Sequence, residues 1–145
     1  MNDKEKLSAP ILRISLSLVF LYFGFQQVYS PDNWISFVPE FVTGFGLSVN
    51  NIVMVNGIME LILGIFMLIG LYTRFASFIL SVHLLGIAVS VGFVPTGVKD
   101  FGLALATFVV FLNGADKYTL DKKMIKKKHE EHQEKKEEEN EEEEE

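Results

Sequence analysis

The residues of this sequence best suited to chemistry are polar side chains that stand inside long apolar runs. Glu60 lies within the run at 52–72, and His83 lies within the run at 75–94. Exposing such groups to lipid costs about 2.5–3.5 kcal/mol or more, so they are expected to face the interior of a helix bundle. There a carboxyl and an imidazole could handle a proton or bind a ligand head group. They could equally form a polar clasp that only fixes helix packing, and the sequence leaves both roles open.

Helical spacing defines the face that carries Glu60. Intervals of three and four residues place Asn56, Gly57, Glu60 and Gly64 on one side of a helix. The two glycines predict helix packing, because they let a neighbouring helix approach closely. His83 is expected at a depth similar to that of Glu60, since it lies nine residues, about 13 Å, beyond Arg74 on the next helix. A hydrogen bond between the two side chains is compatible with these depths.

The first apolar run adds two members to this candidate ligand site of Glu60, His83 and Asn56. Gln27 is near the outer end of the run and is expected at the mouth of any cavity. Arg13 is near the other end, where its long side chain is predicted to reach the cytoplasmic surface. Four more polar residues are predicted to lie at the membrane boundary. Arg74 is expected to anchor the topology, and three residues at the ends of the fourth helix are expected to be solvated at little cost: Asp100, Asn113 and Asp116.

Several classes of chemistry are excluded by composition. The chain has no cysteine, which rules out disulfides, thiolate metal sites, c-type haem attachment, cysteine-bound iron–sulfur clusters and Cys-x-x-Cys redox chemistry. His129 and His132 are three residues apart, whereas the zinc motif of metalloproteases needs four. We therefore predict no haem, iron–sulfur or zinc site. We also identify no catalytic residue and predict no nucleic-acid partner.

The elements that must position these residues are four membrane-spanning helices. A helix needs about 20 mostly apolar residues to cross the hydrocarbon, and we predict spans at about 11–29, 52–72, 75–94 and 101–118. Runs that are apolar on all sides exclude a barrel, whose strands would alternate. The predicted fold is all-α: a transmembrane four-helix bundle over 11–121, preceded by a cytoplasmic segment at 1–10.

The distribution of lysine and arginine predicts the orientation. Outside the tail, one side of the bundle carries the basic residues that follow: Lys4, Lys6, Arg13, Arg74 and Lys117. The other side carries only Lys99. The positive-inside rule then places both termini in the cytoplasm of a multi-pass protein of the cell membrane. Tyr29 and Trp34 are expected at the outer boundary, and Tyr72 and Tyr118 at the inner one.

The outer connection between the first two helices, at about 30–50, is unusually long. Apolar residues recur in it at helical spacing: Trp34, Phe37, Val38, Phe41, Val42 and Phe45. Pro39 is expected to kink or break any helix there. We favour a short amphipathic element that covers the end of the bundle, and the alternative is a lid over a cavity.

The tail at 122–145 holds 18 charged residues, so the sequence pI near 5.1 describes mainly this segment. Its first part, 122–128, is a lysine cluster able to bind anionic lipid head groups. From Glu130 onward the sequence is rich in glutamate, and self-repulsion predicts a disordered cytoplasmic tail.

Several motifs together resemble the DoxX family of small four-helix membrane proteins. The resemblance covers about 12–121 and rests on these residues: Arg13, Phe20, Gly24, Gln27-Val28 and Pro31; Asn56-Gly57-x-x-Glu60-x-x-x-Gly64; Gly70-Leu71-x-Thr73-Arg74-x-Ala76; Asp100; and Asn113 to Asp121. One departure is Gln27, where the family commonly has lysine. A charged interaction made by that lysine would be missing here.

This resemblance implies a link to membrane redox complexes, including thiosulfate:quinone oxidoreductase. The first hypothesis is an accessory subunit that has a membrane or cytoplasmic redox partner and no chemistry of its own. The second is a bundle site for a quinone or a sulfur compound, with Glu60 and His83 at the head group. The third is a small transporter or proton path, although no inverted repeat is visible. The sequence leaves homo-oligomers open and decides neither the cofactor nor whether the chain is an enzyme.

Overall fold

The computed structural model describes residues 3–39, 42, 46 and 48–144. Its elements follow in chain order: α1 (Asp3–Tyr29), a 3₁₀ helix (Pro31–Phe37), α2 (Val49–Ile69), α3 (Thr73–Val91), α4 (Pro95–Asn113) and α5 (Leu120–Glu144). The described residues contain no strand, in agreement with the predicted all-α class. Four segments are long and apolar enough to cross a membrane: Leu7–Tyr29, Val49–Ile69, Thr73–Val91 and Pro95–Asn113. The prediction of four candidate spans is confirmed.

The four helices give the bundle two distinct ends. At the first, called the loop end, the chain passes from α1 to α2 through residues 30–48 and from α3 to α4 through residues 92–94. At the second, called the turn end, Gly70–Tyr72 join α2 to α3. Arg13 in the first half of α1 also contacts Asp116 after α4 at this end. The segments that lead out of the bundle therefore leave it on the same side.

The fourth span begins earlier than predicted, at Pro95 in place of residue 101, and ends earlier, at Asn113 in place of residue 118. Proline suits the first position of a helix, because its fixed φ is already helical and its missing N–H needs no partner there. Gly114 ends the helix with a φ of +67°, a conformation that favours glycine. This shift places Lys99 and Asp100 within α4 and not before it.

The charged tail also differs from its predicted disorder, because the structure has the helix α5 from Leu120 to Glu144. Lysine and glutamate are both good helix formers. In addition, Lys126 and Glu130 approach within 3.4 Å, and Lys127 and Glu131 within 3.7 Å. Such pairs four residues apart stabilise a helix, and they act against the self-repulsion of the glutamates.

The helices pack as two close pairs, α1 with α2 and α3 with α4. Between α1 and α2, a Cβ atom added at Gly57 would lie 2.8 Å from both the Gly24 carbonyl oxygen and Gln27 Cβ. Between α3 and α4, the Ser81 hydroxyl donates to the Ala104 carbonyl oxygen at 2.9 Å.

The buried apolar core lies mainly toward the turn end and contains these residues: Leu16, Phe20, Leu63, Met67, Ala76, Leu80, Leu84, Ala104 and Val110. The half of the bundle nearer the loop end is packed less fully, and its interior is where the polar residues meet.

Candidate functional site

A cavity of about 910 Å³ lies among the helices toward the loop end. Its walls come from the second halves of α1 and α3, from α2 as far as Glu60 and from the first half of α4, and the 3₁₀ helix lies over it. Four of the five residues predicted for the ligand site line this cavity: Gln27, Asn56, Glu60 and His83. The antiparallel arrangement brings them together, since Gln27, Asn56 and His83 lie in the part of their helices nearer the loop end and Glu60 lies just past the middle of α2.

Glu60 is the centre of a buried hydrogen-bond network in the wall of the cavity. The residue is only 3% exposed. Its Oε2 accepts from Gln27 Nε2 at 3.0 Å, and its Oε1 accepts from Asn56 Nδ2 at 3.1 Å. The same Asn56 Nδ2 donates to Gln27 Oε1 at 2.6 Å. The side chains of Gln27 from α1 and Asn56 from α2 thereby hold the carboxyl group in one position.

His83 faces this network from α3 and has unused hydrogen-bonding capacity. Its Nε2 lies 3.4 Å from Glu60 Oε1. The contact is close enough for an ion pair with a protonated imidazole, but its geometry is not that of a hydrogen bond. Among the described residues, His83 Nε2 is the buried side-chain nitrogen or oxygen left without a hydrogen-bond partner. Because burying such a group unpaired costs about 1–3 kcal/mol, this atom is a candidate ligand contact.

Aromatic side chains cover the cavity from the loop end. The Trp34 ring of the 3₁₀ helix packs edge-on against Phe23 of α1, with centroids 5.7 Å apart, and lies 5.8 Å from Phe37. The 3₁₀ helix is also tied to α2, because Asn50 Nδ2 donates to Asp32 Oδ1 at 2.7 Å. The sequence favoured a plain end cover over a lid. The structure shows a cavity lined by this element, which fits either role. Phe41 and Phe45 of the predicted amphipathic element lie outside the described residues.

Sequence reasoning missed a second polar pair in the cavity wall. Asp100 was expected at a helix end where solvation costs little, yet it is 8% exposed. Its Oδ1 lies 3.2 Å from Lys99 Nζ, which also sits 5.1 Å from the centre of the Phe23 ring. Both residues line the cavity. Pro95 was the available signal, since a helix that starts there carries both residues one turn inward.

Arg13, the fifth predicted member, does not belong to this site. It is 2% exposed and does not reach a solvated surface as predicted. Its Nε donates to Asp116 Oδ2 at 2.7 Å, and its Nη1 donates to the carbonyl oxygens of Met67 at 2.7 Å and Leu68 at 2.5 Å. Met67 is seven residues, about 10 Å, from Glu60 along α2. Arg13 instead joins α1, the end of α2 and the segment after α4.

Asp116 is corrected in the same way. Its side chain is 7% exposed, not solvated at a helix end. It pairs with Arg13 through Oδ2, and its Oδ1 accepts from the Tyr118 N–H at 2.8 Å. Asn113, in contrast, is exposed at the end of α4.

Comparison with known protein families shows to which family the chain belongs. Residues 36–138 match the model of a family described as the small subunit DoxD of TQO, the thiosulfate:quinone oxidoreductase. This match covers more than half of the chain. The chain belongs to the DoxD family. DoxD is a DoxX-like family of small membrane proteins, so the resemblance found in the sequence is confirmed. No curated protein and no solved structure matches the chain.

The DoxD match takes in α2, α3 and α4, together with Asn56, Glu60, His83 and Asp100. It does not take in α1, which contributes Gln27 and Phe23 to the cavity. In this DoxD-family chain, the amide of Gln27 contacts the Glu60 carboxyl group directly. The residue that departs from the common DoxX pattern therefore touches the centre of the polar network.

Proposed function

We propose that this chain is the small membrane subunit of a redox complex and that its cavity binds the head group of a quinone. The observation that carries the proposal is His83 Nε2, which has no hydrogen-bond partner among the described residues and lies beside the Glu60 network in a cavity between apolar helices. The family name supplies the chemical context, because DoxD is the small subunit of an enzyme that uses a quinone.

The cavity suits a neutral ring with polar groups at its edge. Ligand sites generally occupy about 300–1,000 Å³ and combine apolar walls with a few well-placed polar groups. A protonated His83 Nε2 could donate to a quinone carbonyl oxygen. A quinol hydroxyl could instead donate to Glu60 or to an unprotonated His83. The apolar tail of a membrane quinone would remain among the helices or in lipid.

Charge favours a quinone over thiosulfate as the occupant. Two buried carboxyl groups, Glu60 and Asp100, line the cavity, and Lys99 is 51% exposed at its side chain. A dianion would have to leave water for a cavity with largely apolar walls, where Lys99 is the single lysine or arginine among the described lining residues, and burying such a charge without enough partners is costly. We therefore assign the quinone to this chain and leave thiosulfate to a partner subunit.

Quenching of Trp34 fluorescence by a short-chain quinone tests the proposal. Trp34 is the chain's only tryptophan and lies over the cavity, so it reports on binding there. In phosphatidylcholine nanodiscs we expect saturable quenching by decylubiquinone, above the linear quenching caused by partition into lipid. Quenching that stays linear at every concentration would refute the quinone site.

Two glycines provide a matched pair of cavity variants. A Cβ atom at Gly86, in the cavity wall, and one at Gly102, on an exposed face of α4, would each meet open space. Gly86→Leu should fill part of the cavity and remove saturable quenching, whereas Gly102→Leu should preserve it. Equal behaviour of the two variants would place the quinone elsewhere.

Variants of the polar groups separate a quinone site from an accessory role without chemistry. We expect His83→Ala to weaken quinone binding by about tenfold, because one buried hydrogen bond is worth about 1–3 kcal/mol when its partner is left unpaired. Glu60→Gln should also weaken it. Unchanged binding in both variants would show that neither group holds the quinone head group. If the wild type also shows no saturable binding, the accessory role remains, which the family's description as a small subunit supports. Co-purification of a larger subunit from native membranes tests the partner itself.

We further propose that the turn end faces the cytoplasm of a cell membrane, so that both termini are cytoplasmic. Arg13, Arg74 and Lys117 lie at that end, whereas Lys99 lies near the loop end, which supports this orientation by the positive-inside rule. The chain has no cysteine of its own. In right-side-out vesicles a membrane-impermeant maleimide should therefore label Asn33→Cys and not Asn113→Cys, and the reverse pattern would overturn the orientation.

A further inference from the structure

The first turns of α5 are fixed to the turn end of the bundle. Asp121 accepts hydrogen bonds from the backbone N–H groups of Tyr72 at 2.7 Å and Thr73 at 2.8 Å, and from the Thr73 hydroxyl at 2.9 Å. The Asp121 N–H in turn donates to the Gly70 carbonyl oxygen at 2.9 Å. One residue therefore ties α5 to the turn between two membrane spans, which places the following residues at the membrane boundary.

Five lysines occupy the two turns that follow: Lys122, Lys123, Lys126, Lys127 and Lys128. Spacings of three and four residues put the first four of them on one side of α5. The side chains of Lys126 and Lys127 are 78% and 79% exposed, even though each approaches one glutamate. No ion pair with a described carboxylate involves Lys122, Lys123 or Lys128, so this end of α5 has a net positive charge.

The remainder of α5 carries the opposite charge. From Glu130 onward, the sequence has eleven glutamates and two lysines. A surface of negative charge would attract the first turns of α5 and repel the rest of the helix. Met124 and Ile125, exposed by 52% and 67%, offer apolar contacts among the lysines, as in helices that lie at the lipid boundary.

We propose that the first two turns of α5, residues 121–128, bind the head groups of anionic phospholipids and hold this part of the helix against the bilayer. The position at the membrane boundary, the charge and the exposed apolar residues support this occupant over a soluble acidic protein. Each lysine near an anionic surface contributes a factor of about five to the association. This proposal is independent of the cavity and of the quinone site.

Trypsin cleavage of the wild-type chain in nanodiscs tests the proposal with an internal control. Cleavage after the lysines at 122–128 should be slower by about fivefold or more in discs that contain phosphatidylglycerol than in discs of phosphatidylcholine alone. Cleavage after Lys135 and Lys136, farther along α5, should change little and corrects for attraction of the protease to the discs. High salt should abolish the difference, since it shortens the screening length to about 3 Å at 1 M.

Two charge variants provide a second measurement that does not depend on cleavage. Native mass spectrometry should find phosphatidylglycerol retained by the wild type and by a Lys135→Gln, Lys136→Gln variant. A variant with glutamine at all five positions of the first cluster should lose it. Equal cleavage ratios in the two kinds of disc, or equal lipid retention in the two variants, would overturn the proposal. Protection that appears in phosphatidylcholine discs only when inorganic phosphate or an acidic protein is added would overturn it as well.

Discussion

Replacing Arg13 by glutamine should destabilise the bundle much more than the same replacement of Arg74, the other arginine of the chain. The side chain is 2% exposed and makes three hydrogen bonds, one to Asp116 and two to backbone carbonyl oxygens at the end of α2. Its loss leaves the Asp116 carboxylate, 7% exposed at the side chain, with the Tyr118 N–H as its remaining hydrogen-bond partner among the described residues. Breaking one side of a buried ion pair costs about 3–5 kcal/mol, and we expect Arg13→Gln to lower the free energy of unfolding by that amount.

Arg74→Gln is the matched control for this substitution. Arg74 lies at the same end of the bundle and loses the same charge, but it is exposed and has no ion pair among the described residues. Exposed substitutions usually change stability by about 0.5 kcal/mol or less. Unfolding of the detergent-solubilised variants, followed by circular dichroism during titration with sodium dodecyl sulfate, measures both losses under the same conditions.

A double-mutant cycle makes the test specific to the ion pair. Asp116→Asn alone should also be destabilising, because it leaves the buried Arg13 guanidinium without its counter-charge. Combined with Arg13→Gln, it should cost less than the sum of the two single losses, by about 0.5–3 kcal/mol. If Arg13→Gln and Arg74→Gln cost the same, or if the two losses at the ion pair simply add, the reasoning is refuted.

Three further predictions concern helix packing, capping and the polar network, each measured by the same unfolding titration. Gly57→Ala should lower the free energy of unfolding by about 1–3 kcal/mol, because the added Cβ atom would overlap the backbone of α1. Gly102→Ala is the control: its Cβ atom would meet open space, and the change should cost nothing or be mildly stabilising. Equal effects of the two substitutions would contradict the close contact. Asp121→Ala should cost about 0.5–2 kcal/mol, because it removes the acceptor of the N–H groups that begin α3, and an unchanged midpoint would show that water replaces it. Gln27→Lys should make Glu60 indispensable: we expect Glu60→Gln to cost about 1 kcal/mol in the wild type but about 3–5 kcal/mol beside the introduced lysine, which would be left as an unpaired buried charge. A cost that is the same in both backgrounds would show that residues 27 and 60 are not in contact.

The sequence by itself determined that the chain is a helical membrane protein and that Glu60 and His83 lie at a similar depth. Four apolar runs of nearly 20 residues must be helices in lipid, since each backbone group has to be satisfied within its own segment. Helical spacing placed Asn56 and Glu60 on one face, and antiparallel runs placed His83 at a similar depth. These statements depend on distances along the chain, which a sequence records directly. The family resemblance also came from the sequence alone, because its motifs are short and ordered.

Only the tertiary structure decided which of these side chains meet. The rotation of each helix about its own axis decides which side chains it presents to its neighbours. A helix that is apolar on all sides carries little information in its sequence about that rotation. Arg13 and Gln27 lie on the same helix, yet only Gln27 reaches Glu60, whereas Arg13 joins Asp116 about 100 residues farther along the chain. The position of Asp100 in the cavity wall depended on where α4 begins. The helical structure of the tail depended on lysine–glutamate pairs four residues apart, which the net charge of the segment does not reveal. The cavity exists because α1 and α2 form one close pair and α3 and α4 another, and the space left between the pairs is a property of their packing.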